Sequence, residues 1–142
     1  GNQMKRVPLR RKSLRVRTKP KVRTKKQAMK MAKLDAVFSQ IVRRRDGRCL
    51  RCHTRENLQC SHVIPKSASQ FLRWDLSNAI TLCTGCHLYW WHRYPHGAVE
   101  WFNGLFPGRH DELQARGRTG LGTKQDRVAL YAALQAQLKE RE

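Results

Sequence analysis

Cys49-Leu50-Arg51-Cys52 and Cys83-Thr84-Gly85-Cys86-His87 bracket a 30-residue insert, His53 to Leu82, that holds Cys60-Ser61-His62-Val63-Ile64-Pro65 and Asn78. Two cysteines three apart on a tight turn can point at one ion. Two such turns supply the four thiolates of a closed tetrahedral zinc site. Four sulfurs leave no open coordination position, so the ion expected on Cys49, Cys52, Cys83 and Cys86 is a structural Zn2+. It would replace part of the core that so short a chain lacks. The insert is longer than a simple zinc ribbon needs. Asn78 follows 16 residues after His62, and His87 follows 9 after Asn78, directly behind Cys86. One histidine alone is more often structural; the ordered set singles out His62, Asn78 and His87. Cys60, the fifth cysteine, reads as a small buried residue.

Working outward, Gln59 to Pro65 and Ala79 to Leu82 read as short strands, with Lys66 to Ser77 a polar loop pinned by Phe71, Leu72 and Trp74. Before the first knuckle, Met31, Leu34, Phe38, Ile41 and Val42 form a helical stripe, which predicts a helix from about Gln27 to Arg45. After the second knuckle a helix is expected from Cys83 through Leu88, Tyr89, Trp90 and Trp91, ended by Tyr94-Pro95. Val99 to Phe106 reads as another short helix, stopped by Pro107-Gly108, and Gly117 to Gly122 as a flexible link. Asp126 to Glu142 is an amphipathic helix, with Val128, Leu130, Tyr131, Leu134 and Leu138 on one side. Most of the aromatic residues are expected to be packing. The expected division is a basic, extended DNA-binding arm at 1–34, a central domain at 35–108, and a C-terminal linker and helix at 109–142.

Charge points to the partner. The chain has 142 residues, with 30 Lys and Arg against 10 Asp and Glu, a net +20. Residues 1–34 hold 14 of the cations and no acid, and the remaining 108 carry a net +6. Residues 1–26, broken by Pro8 and Pro20, read as a disordered basic arm. A polyanion would neutralise such a block with release of counterions, so nucleic acid is favoured over a membrane surface, for which a wide apolar helical face is missing. No apolar run approaches bilayer length, and no apolar segment of the secretory kind follows the basic start. Cysteines paired as Cys-x-x-Cys suit a reducing compartment.

The order Cys-x-x-Cys, Ser-His-Val-Ile-Pro, Asn, Leu-Cys-x-x-Cys-His, from Cys49 to about His92, resembles the HNH nucleases. A longer match, from Leu34-Asp35-x-x-Phe38-Ser39 through Arg43-x-Arg45-Asp46 to Leu72-Arg73-Trp74-Asp75-x-x-Asn78, resembles the lambda-type phage recombination endonucleases (the Rap or NinG-like group). The layout is similar to that of Holliday-junction resolvases of the endonuclease VII kind. The resemblance implies an α+β fold: a small zinc-stapled ββα-metal domain with a basic N-terminal arm and flanking helices. It implies metal-dependent DNA cleavage on branched DNA, in the cytoplasm of a phage-infected or prophage-bearing bacterium. His62 would be the general base, Asn78 would hold the loop between the strands, and His87 would ligate a catalytic Mg2+ or Mn2+. Many HNH enzymes place Asp or His just before the base, where this chain has Ser61. The second metal ligand is therefore open between His92, Cys60, Asp75 and a substrate phosphate. His92 lies five residues past His87, about 140° around an ideal helix, and reaches the ion only if that helix is distorted.

Arg43, Arg44, Arg45, Arg48 and Arg51 around the first knuckle, with Lys66 and Arg73 on the loop, are expected to grip DNA phosphates. The last helix packs against the domain or supports a homodimer, since a resolvase needs two active sites. Two further readings compete: a non-catalytic zinc module that binds nucleic acid, and a general HNH nuclease without branch preference.

Overall fold

The computed structural model describes residues 25–142, with side chains described from Met31 onward; residues 1–24, the greater part of the expected basic arm, lie outside the described residues. Among the described residues the chain is a small α+β protein of five α-helices and one two-stranded antiparallel sheet. Helix α1 (Lys25–Asp46) starts two residues earlier than its apolar stripe implies, so the last ten residues of segment 1–34 are helical. Lys, Gln, Ala and Met are good helix formers and carry the helix back past the stripe. Met31, Leu34, Phe38, Ile41 and Val42 are all buried.

Strands β1 (Leu58–His62) and β2 (Ala79–Cys83) pair from Leu58 with Cys83 to His62 with Ala79. The pleat sends alternate side chains to opposite faces. Ala79, with Cys60 beside it, packs toward α1, while Ile80 and Leu82 enter a second core with Leu72, Trp91, Phe102 and Leu113. A two-stranded sheet is marginal alone, and these two cores make it stable. The outer edge of β2 is closed by polar groups. The Thr81 N–H donates to the Asp46 carboxylate at 2.9 Å, and the Leu50 N–H donates to the Thr81 carbonyl at 3.0 Å. Strand β1 stops three residues short of Pro65. The Val63 N–H turns to the Asn78 carbonyl, the Ile64 N–H to the Asn78 side chain, and Pro65 has no N–H to continue a ladder.

The second knuckle begins α2 (Thr84–Cys86), which runs directly into a π turn over His87–Trp91. Pro95 both ends that segment and opens α3 (Pro95–Leu105) at its first position, four residues before the expected Val99. The segment from 109, expected as linker, opens with helix α4 (Arg109–Thr119). Its sequence hides it, because Leu113 is the one large apolar residue it buries. Asp111 and Glu112 in the first turn and Arg116 and Arg118 in the last favour the helix dipole. Gly117, expected as link, lies inside α4, where a side chain would press on Leu72 Cδ1 at 3.3 Å. Helix α5 (Arg127–Glu140) is capped by Asp126 and lays Leu130, Tyr131, Leu134 and Leu138 against α1. Val128 is not on that side; it is 70% exposed. No helix among the described residues is long and apolar enough to cross a membrane.

The α5 contact is testable. Leu134→Ala is expected to cost about 2–4 kcal/mol, read as a lowered urea midpoint, whereas Val128→Ala should stay within about 0.5 kcal/mol of the parent.

Candidate functional site

The four cysteines of the knuckles converge. Their Sγ atoms all lie within 4.8 Å of one another, with Cys52 and Cys83 at 3.6 Å. That separation is far beyond a disulfide and close to the roughly 3.8 Å edge of a tetrahedron with 2.3 Å Zn–S bonds. Each knuckle turns an N–H toward sulfur: Cys52 N to Cys49 Sγ at 3.5 Å and Cys86 N to Cys83 Sγ at 3.4 Å. Burial opposes the charge on Cys49, yet backbone hydrogen bonds outweigh it and bring the thiol down to about 7. Burial, together with the neighbouring sulfurs, pushes Cys86 up to about 12. Four sulfurs this close cannot all ionise without a cation among them, and the set suits Zn2+. Arg51 stacks 4.0 Å from the Trp90 ring centroid and donates to Cys86 Sγ at 3.5 Å, so it joins the site to the aromatic core.

His62 ends β1. Its Nε2 lies 2.7 Å from the Arg73 carbonyl. A carbonyl only accepts, so the proton sits on Nε2 and Nδ1 carries the free lone pair. Phe38 stacks on the ring at a centroid distance of 5.5 Å. Burial lowers the His62 pKa below its ordinary value; the Arg73 carbonyl opposes that and the Lys66 charge adds to it. The Arg73 guanidinium donates to Asp35 at 2.9 and 2.6 Å, and Trp74 Nε1 donates to the same carboxylate at 2.9 Å. Burial works against the charge on Asp35, but Arg73 and Trp74 hold its pKa below the usual value. Helix α1 thus fixes the ring of His62 twice, through Phe38 and through Asp35.

Asn78 is fully buried and closes the loop. Its Oδ1 accepts from Ile64 N at 2.8 Å, and its Nδ2 donates to the Ile64 and Leu72 carbonyls, both at 3.1 Å. These bonds hold both ends of the segment that carries Arg73.

His87 and His92 meet through the π turn. The His92 N–H bonds to the His87 carbonyl at 3.1 Å, five residues back, and the wider turn brings the two rings to the same side. Their Nε2 atoms lie 2.9 Å apart. Gln59 Oε1 accepts from His87 Nδ1 at 2.7 Å, which leaves the lone pair of His87 on Nε2. Burial, then the nearby His92 and His62, bring the His87 pKa down to about 4, so the ring is neutral near pH 7. Two imidazole Nε2 atoms this close could hold a divalent metal between them. Ser61 lies on the same sheet face as Gln59; it is fully buried, and its hydroxyl has no hydrogen-bond partner among the described residues. Of the other suggested ligands, Cys60 lines the same groove as the histidines but packs toward α1, its thiol pushed up to about 12 by burial, and Asp75 lies outside the groove, bound by Arg116 and Ser77.

His62, His87 and His92 line one groove of about 1250 Å³, together with Arg43 and Lys66. The basic residues proposed as DNA contacts separate into two groups. Arg45 donates to the Leu76 and Ala79 carbonyls, both at 2.7 Å, and Arg73 and Arg51 are engaged as described, so these three also serve as structural links, although Arg45 and Arg51 remain exposed. Exposed Arg48, Lys66 and Arg44, the last 3.8 Å from Glu142, and half-buried Arg43 keep cationic surface toward solvent. Sequence reading missed Asp35, Phe38 and Gln59 as supports of the histidines. Asp35 and Phe38 stand in the stretch that carries the resemblance, but their roles, like that of Gln59, arise from contacts across the fold. No protein-family profile, curated protein or solved structure matches the chain.

Removing metal should unfold the protein. Structural zinc contributes about 10–16 kcal/mol in small zinc domains, as much as the roughly 5–15 kcal/mol total stability of such a fold. Cys83→Ser is expected to lose bound zinc and the cooperative thermal transition together, as read by metal analysis and circular dichroism. A chelator should do the same to the parent, and added Zn2+ should restore it.

Proposed function

We propose that the chain is a metal-dependent DNA endonuclease of the HNH kind, hydrolysing phosphodiester bonds in branched or recombining DNA. The observation that carries this reading is the convergence in one groove of His62, with a bare Nδ1, and the paired Nε2 atoms of His87 and His92. A water beside Nδ1 would lose its proton to His62 as it attacks the scissile phosphate. The imidazolium so formed is held by the Arg73 carbonyl and lies near the Asp35 charge. Lys66 and Arg43 would hold the phosphate backbone beside it. A divalent ion on His87 and His92, when bound, supplies charge to offset that on the phosphorane and the departing 3′ oxygen. The products are then 5′-phosphate and 3′-hydroxyl ends. Imidazoles without a carboxylate suit Mg2+ poorly, and Asp35, the acid lining the groove, is already held by Arg73 and Trp74, so Mn2+ fits better. The preference for branched DNA rests on the likeness to recombination endonucleases.

One observation favours a second reading, a non-catalytic module that binds nucleic acid. Ser61 stands where the resemblance expects a metal ligand, and a serine hydroxyl is a weak one. Cleavage decides between them. Matched linear duplex, flap and four-way-junction DNA are incubated with Mn2+ or Mg2+, beside a His62→Ala control. The expected result is cleavage of the branched substrates that falls about a hundredfold or more in the variant, with zinc content and DNA affinity retained. Equal cleavage of all three keeps the nuclease and removes the branch preference. No cleavage with binding intact leaves the zinc module.

The pH profile tests the positioning of His62. Its pKa is lowered, so the neutral base is already present near pH 7 and the acid limb of kcat/KM should lie below pH 6.5. Asp35→Asn removes a charge that raises the His62 pKa. Activity should fall about tenfold or more, and the acid limb should move to still lower pH. An unmoved limb would show that Asp35 acts only in folding.

A further inference from the structure

Helix α4 forms the far wall of the groove. His110, Gln114 and Arg118, four residues apart, make one stripe along that wall, while Asp111 and Glu112 lie off it. The wall is fixed to the loop that orients His62. Arg116 pairs with Asp75 and donates to Ser77 Oγ at 3.2 Å, Leu113 is fully buried, and Gly117 fits closely against Leu72. The wall is therefore tied to the same loop that holds His62. The groove also has an apolar side, to which Ile64, Pro65 and Val99 contribute, and Leu121 at the end of α4 lines it while 70% exposed.

These surfaces discriminate between forms of DNA. A duplex presents phosphates outward, about one charge per 1.7 Å of axis, and apolar walls would desolvate them without return. An unpaired strand has phosphates along one side and base faces and sugars along the other. We propose that the groove takes a single unpaired DNA strand. Its backbone runs along Arg118 and Gln114 and its bases and sugars lie against Leu121 and the opposite apolar side. This rests on the nuclease reading for the kind of ligand, and it gives a physical reason for choosing flaps and junctions, where such strands occur. Among the described residues no hydrogen bond joins α4, which supplies this grip, to the histidines that would do the chemistry.

Binding without cleavage tests it. Fluorescence anisotropy is read on full-length His62→Ala protein in Mn2+, with a labelled single-stranded oligonucleotide and a blunt hairpin duplex. The basic N-terminal segment is expected to bind both, so the readout is the ratio of the two affinities and how it changes. The single strand is expected to bind more tightly. Adding Arg118→Ala should reduce the salt slope for the single strand by about 0.7, the loss of one phosphate contact, and leave the duplex slope unchanged. Adding Leu121→Ser should weaken single-strand binding about fivefold without moving the duplex. Equal loss on both probes, or no loss on either, overturns the proposal. So does duplex bound as tightly as single strand in the parent. None of these outcomes depends on catalysis, so a failure of cleavage would be seen separately.

Discussion

One buried amide holds the candidate site together. Asn78 sits at the foot of β2 with no exposure and bonds to backbone groups of Ile64 and Leu72. The loop it closes has little regular structure, and loops of that length otherwise cost ordering entropy and wander. Once closed, the loop delivers the Arg73 carbonyl to His62 and the Arg73 side chain to Asp35. It also offers Asp75 and Ser77 to Arg116, and so docks α4. The position of His62, its anchoring to α1 and the placement of α4 all follow from this closure. An alanine there would leave several buried polar groups unpaired, each costing about 1–3 kcal/mol.

The second constraint is the local widening of the helix after Cys86. Regular α geometry would turn His92 away from His87. The π turn instead sets their Nε2 atoms 2.9 Å apart, and such turns are commonly kept where a site needs them. The turn begins immediately after the second knuckle, whose sulfurs lie with those of the first. The structural and the candidate catalytic metal positions are thus neighbours in sequence with different chemistry. Four thiolates form a closed set, and two imidazoles form an open one.

Much of this arrangement is legible in the sequence. The Cys-x-x-Cys pairs announce their convergence by spacing, the α1 stripe by period, and β2 by its apolar run; β1 ends at His62, before the apolar Val63 and Ile64 that suggested a strand there. His62 and His87 line the groove, and Asn78 braces the loop beside it. The parts that are not legible depend on tertiary contact. α4 buries mainly Leu113 and has no apolar stripe to betray it. The use of Arg45 and Arg73 as internal links cannot be told from an exposed basic face, because charge patterning does not show which guanidinium finds a carbonyl or a carboxylate. The π turn is likewise silent, although the five-residue spacing of His87 and His92 was its one trace.

The proposed chemistry requires that His87 and His92 hold a divalent ion. The direct measurement is the single-turnover rate of flap cleavage as a function of Mn2+ concentration, for the parent and for His92→Ala. The rate in the parent should rise with Mn2+ and saturate, and the variant should need about tenfold or more Mn2+ to reach half its maximum, with zinc content unchanged. The same Mn2+ dependence in both proteins, or no Mn2+-dependent cleavage in the parent, would contradict it.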